Sequence, residues 1–147
     1  MKLSRTANGI SHFRLRLGIG ATILGLVVYL LGVDPGMFGM DRSPVMGFVQ
    51  IAVLLVGLAL MCLGGYITLN ALWNGSQKSI LADIGLRLVA TGYLVAVASG
   101  MADILGFGNH PFPRIPYFGP LQMIGVIIGE VAIALGFLMI IPYPRKR

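Results

Sequence analysis

The stretch from Gly119 to Pro142, GPLQMIGVIIGEVAIALGFLMIIP, decides the fold. It holds a single charged residue, Glu130, in a run long enough for an α-helix to cross about 30 Å of hydrocarbon. Within it Gln122, Gly129 and Gly136 recur at every seventh position. A seven-residue repeat is two helical turns seen from a left-handed supercoil. Small residues on such a line let helix backbones approach closely, which is how helices pack where lipid supplies no hydrophobic drive between them.

The same pattern lies upstream. Gly18, Gly25 and Gly32 form one line, Gln50, Gly57, Gly64 and Ala71 a second, and Gly85, Gly92, Ser99 and Gly106 a third. The apolar segments are 17–33, 46–72, 84–106 and 119–142. The expected fold is therefore an all-α membrane protein, an antiparallel bundle of four transmembrane helices. Of 147 residues, 56% are hydrophobic and 11% charged. A soluble domain carries about a quarter charged residues. The segments divide the chain into a basic N-terminal segment 1–14, a hairpin 15–73, a loop 74–83, a second hairpin 84–142 and a basic tail 143–147. The first apolar run ends in Asp34-Pro35-Gly36 without a small-x-small cleavage pattern, so it reads as a retained helix rather than a signal peptide.

The net charge of +6 is concentrated on one side. Lys2, Arg5, Arg14 and Arg16 precede the first helix, Lys78 and Arg87 flank the middle loop, and Arg145, Lys146 and Arg147 follow the last helix. Arg42 and Arg114 fall in the other two loops. The positive-inside rule then puts both termini in the cytoplasm, in the plasma (inner) membrane of a prokaryote-like cell. The surplus positive charge meets anionic lipid headgroups. Nucleic acid is not an expected partner, because no surface interleaves basic and aromatic residues.

The two halves read as copies. Gln50, Gly57 and Gly64 match Gln122, Gly129 and Gly136 at an offset of 72, and Asp34-x3-Phe38-Gly39 matches Asp103-x3-Phe107-Gly108. Leu15-Arg16-Leu17 and Leu86-Arg87-Leu88 pair the helix starts. Duplicated two-helix units would be related by an axis along the membrane normal.

Glu130 is the candidate functional residue. An ionised carboxylate at mid-bilayer costs about 3 kcal/mol on insertion scales, so it must face a partner, face water or hold a proton. It follows Gly129 by one residue and so stands about 100° around the helix from the seam. Its counterpart is Leu58. One reading is a proton or cation site, or a bond to a cofactor headgroup. The other is a protonated carboxyl bonded to a backbone carbonyl, Gln50 or Thr68, locking the bundle or a partner subunit.

Gly18, Gly25, Gly32, Gly57, Gly64, Gly92, Ser99, Gly129 and Gly136 are expected to pack helices, and Gln50 and Gln122 to bond between them. Asp34, Asp103 and His110 could hold a metal ion only if they converged, and their spacing matches no ligand motif. No metal site is expected. Cys62 is the single cysteine, which excludes paired-cysteine redox chemistry. His12 and His110 both lie outside the spans, so the chain alone cannot hold a bis-histidine haem within the bundle. No other cofactor can be named. Phosphate-loop, serine-hydrolase and zinc-protease motifs are missing, and an enzyme is not expected.

Arg87-Leu88, the Gly106-Phe107-Gly108 turn, and Glu130 followed by Gly136 resemble the second half of the DoxX-like four-helix membrane proteins. The resemblance covers about 50 residues and implies a bacterial membrane protein, sometimes tied to quinone-linked redox complexes. The expected function is a structural or accessory subunit that packs against other membrane proteins or itself. The alternatives are a small transporter or proton pathway using Glu130, and a quinone or lipid binder in a cleft near it.

Overall fold

A computed structural model describes residues 12–40, 47–108 and 118–143. They form four α-helices: α1 (His12–Val33), α2 (Phe48–Leu72), α3 (Ile80–Gly100) and α4 (Pro120–Ile140). Each is long and apolar enough to cross a membrane. The four expected apolar segments are thus helical, with their bounds shifted, α3 beginning at Ile80 inside the expected loop 74–83. α1 starts at His12, so Arg14 and Arg16 belong to its first turns. α3 stops at Gly100, six residues short of the expected end. Beyond it the chain turns back on itself: Ile104 and Leu105 both donate backbone N–H groups to the Met101 carbonyl, and Phe107 and Gly108 to that of Ala102. Gly106, with φ +82°, belongs to this turn and not to a helix seam. The left-handed backbone there is one that glycine alone adopts freely.

The helix starts follow from local chemistry. α2 and α4 begin alike: Gly47 and Gly119 each donate a backbone N–H to the Oε1 of a glutamine three residues on, Gln50 and Gln122, at 2.9 Å. This satisfies a donor that a helix N-terminus leaves open. Ser79 caps α3 by accepting from the Ala82 N–H at 3.1 Å. α2 ends in Asn74 and Gly75, both with positive φ, as the Asn-Gly pair suggests.

Glycine then sets the packing. α1 pairs with α2 and α3 with α4, each as an antiparallel hairpin with backbones nearly touching. A methyl group built on Gly92 would stand 2.6 Å from the carbonyl oxygen of Gly129, and one on Gly129 would stand 2.5 Å from that of Gly92. Gly85 and Gly136 are related in the same way, at 2.6 and 2.7 Å. In the first hairpin Gly18 lies against Thr68 and Gly64, Gly25 against Met61 and Gly57, and Gly32 against Leu54. The expected packing glycines are therefore all used inside the hairpins, and Ser99 joins them against Gly125.

The two hairpins share one register. Gly57 and Gly64 rest on the backbone of Tyr29 and Thr22; Gly129 and Gly136 rest on that of Ala96 and Val89. The α2–α4 offset is 72, as the sequence indicates, but the α1–α3 offset is 67. Pairing Leu15-Arg16-Leu17 with Leu86-Arg87-Leu88 is thus out of register, because the seam glycines and not the helix starts fix the alignment.

Between hairpins the core comprises Ile51, Leu54, Leu55 and Leu58 of α2, Val89 and Ala96 of α3, and Val126, Ile133 and Ile140 of α4. Among the contacts that tie the halves are these three. Phe137 lies end-on over Gly65, the Tyr93 hydroxyl donates to the Leu55 carbonyl at 3.3 Å, and the Trp73 indole donates to the Ile140 carbonyl at 2.8 Å. The last bond satisfies a carbonyl that the end of α4 leaves open.

Candidate functional site

Gly129 aims at α3, so Glu130, one residue on, aims elsewhere. The Tyr29 hydroxyl of α1 donates a hydrogen bond to Glu130 Oε1 at 2.7 Å. The reach is long. No Cα of α1 comes within 8 Å of one in α4. Side chains on a helix lean toward its N-terminus. α1 and α4 run in opposite directions, so Tyr29 and Glu130 lean toward each other. Gly57 supports the arrangement from behind, because only a residue without a side chain lets the Tyr29 backbone sit so close to α2.

The register exposes what is unusual about this pair. At the equivalent positions, Glu130 is replaced by Leu58 and Tyr29 by Ala96. Leu58 and Ala96 are buried in the core, on the flank where α2 and α3 pack closely. On the opposite flank the small apolar pair gives way to a phenol and a carboxylate bonded end to end. The two side chains form a strut that joins α4 to α1 where no backbone contact does. Among the described residues Tyr29 is the one α1 side chain packed against the core. Glu130 itself stays half-buried.

The other candidates fall into place separately. Gln50 and Gln122 were expected to bond between helices; their carbonyl oxygens instead cap the starts of their own helices. Asp34 accepts from the Gly36 N–H at 3.0 Å and is a turn residue. Asp103 is buried at 5% exposure, its carboxylate filling the space a side chain at position 108 would need. Among the described residues no three of His, Cys, Asp and Glu gather into a group that could hold a metal. His110 lies outside the described residues. Asp83 and Arg87 form the expected i,i+4 ion pair at 3.2 Å on the exposed face of α3. Thr22 and Thr68 donate to carbonyls one turn back in their own helices, at 2.9 and 2.8 Å, so Thr68 is not the partner of Glu130.

Two apolar grooves mark the surface. One, of about 270 Å³, lies between Leu81, Leu88, Leu135, Leu138, Met139 and Tyr143. The other, of about 220 Å³, lies between Ile19, Thr22, Ile23, Gly65, Thr68 and Leu69. Neither is lined by Glu130.

Tyr29 is the residue of the candidate site that sequence reading missed. The signal was present as a second broken match: at the offset of 67 a tyrosine stands opposite an alanine. Comparison with known proteins leaves the geometry to speak for itself, since no family model, curated relative or solved structure matches the chain, and the likeness to DoxX-like proteins gains no support.

Proposed function

We propose that this chain is a structural or accessory subunit of an integral membrane complex, built from two duplicated hairpins with both termini cytoplasmic. One observation carries the reading. The intramembrane acid is committed to Tyr29 at 2.7 Å, and the neighbouring hydroxyls of Thr22, Thr68 and Tyr93 are likewise spent on bonds inside the bundle. Polar groups used this way hold helices together and leave no convergent set for chemistry. α1 meanwhile presents Leu17, Ile23, Leu24 and Val27 outward, each 43% or more exposed. That face suits lipid or a neighbouring helix.

Duplication is supported by the seam contacts of Gly18, Gly25, Gly57 and Gly64, which recur at Gly85, Gly92, Gly129 and Gly136. Orientation is supported by charge: Arg14, Arg16, Lys78 and Arg87 all lie at the end where α1 and α3 begin. The seams themselves do not argue for an outside partner, since each hairpin consumes its own.

Extraction from native membranes in lipid-preserving particles, followed by native mass spectrometry, tests the reading. A second polypeptide in fixed ratio is the expected result. A lone chain or homodimer refutes it. The rival is a proton or ion pathway, favoured by the half-buried position of Glu130 where α1 and α4 stand apart. It requires pH-dependent flux in proteoliposomes that Glu130→Gln abolishes; equal flux in both proteins, or none in either, removes it.

A further inference from the structure

The groove between Ile19, Thr22, Ile23, Gly65, Thr68 and Leu69 has an equivalent in the second hairpin. At the offsets of 67 and 72 its lining residues become Leu86, Val89, Ala90, Phe137, Ile140 and Ile141. Leu86, Val89, Phe137 and Ile140 belong to the core or pack against it, while Ala90 and Ile141 are exposed. Most of the surface that lines the groove in one hairpin is thus covered by protein in the other. Tyr29 and Glu130 bridge α1 and α4 where their backbones stay apart, and at Gly65 the bare backbone is met end-on by the ring of Phe137.

We propose that this groove holds one acyl chain of an anionic phospholipid, with the phosphate at Arg16. The lining is almost wholly apolar, which suits hydrocarbon. The charge at its mouth selects the headgroup. Arg16 is exposed, and stands three residues before Ile19 and seven before Ile23, on the same face of α1. Its side chain leans toward the helix start, away from the groove and toward the headgroup layer. Lys78, at the same end of the bundle, sits 5.1 Å over the ring of Tyr66, next in the chain to Gly65. Among the described residues the acid at this end is Asp83, which is paired with Arg87 on the other hairpin. A phosphate at Arg16 therefore lies at the positively charged end of the bundle.

The single tryptophan reports on the site, because Trp73 lies one helical turn beyond Leu69 on α2. The full chain is reconstituted in phosphatidylcholine bilayers with a small fraction of phosphatidylglycerol, and either lipid is brominated near the headgroup end of its chains. Brominated phosphatidylglycerol should quench Trp73 beyond its mole fraction, and brominated phosphatidylcholine should not. Arg16→Gln should lower the preference roughly fivefold, the share of one basic residue near a charged surface. Ile19→Phe, which fills the groove without changing charge, should remove it. Arg87→Gln, at the same end of the bundle on the hairpin whose equivalent surface is mostly covered, should leave it intact. Equal quenching by both lipids overturns the proposal. So does a preference that survives Arg16→Gln or Ile19→Phe, or one that Arg87→Gln lowers as much as Arg16→Gln.

Discussion

Tyr29→Phe removes one oxygen and leaves Glu130 without the hydroxyl that donates to it in an apolar flank. Hydrogen bonds between membrane helices average about 0.6 kcal/mol and reach about 1.7. Bonds to a charged acceptor run higher, at roughly 1.5–3 kcal/mol. α1 and α4 have no backbone contact that could close over the loss, so the expected cost is about 1–2 kcal/mol. The informative partner change is Glu130→Leu, which installs the residue found at the equivalent position 58. Replacing a buried polar pair by apolar residues is often neutral, whereas removing one partner is not. The double variant should therefore recover most of the stability lost in Tyr29→Phe. Reversible unfolding in mixed detergent micelles, with all four proteins compared as a cycle, measures the coupling. Additive effects, with coupling below about 0.5 kcal/mol, would refute the strut.

Three further outcomes follow from the packing and the caps. Gly92→Ala places a methyl group against the Gly129 carbonyl and should cost about 1–3 kcal/mol in the same unfolding assay, whereas Gly20→Ala, with open space around it, should be neutral or stabilising by up to about 1 kcal/mol. Gln50→Ala and Gln122→Ala should each lose about 0.5–2 kcal/mol and by similar amounts, because the two caps share one geometry; amide exchange should quicken at Gly47 and Gly119. Trp73→Phe frees the Ile140 carbonyl and should cost about 0.5–1.5 kcal/mol, read as faster exchange at the end of α4 with the start of α4 unchanged.

The seams were legible because glycines at the same helical angle have one good use between apolar helices. Gly57, Gly64, Gly129 and Gly136 sit where their spacing puts them. The end of α3 was not legible: Gly106 continues the seven-residue line, yet the turn at Met101–Gly108 ends the helix first. The pairing of halves was legible in α2 and α4 and misread in α1 and α3, where a basic start of helix resembles another whatever the packing below it. Glu130 stood out as a charge in hydrocarbon. Its partner did not, because a tyrosine in a span is unremarkable until the fold brings it to the acid. The glutamines kept their symmetry but changed their role, since a side chain near a helix start satisfies the nearest open N–H before reaching for a neighbour.

Gly65 and Phe137 occupy equivalent positions and touch each other. Two separate copies of one hairpin would bring the same residue to both sides of that contact. Phenylalanine twice would collide, and glycine twice would leave a void. A knob and its hole coexist there because the two positions carry different residues, which a symmetric pair of identical hairpins would not allow. The contact thus depends on the two hairpins being unlike at this one place.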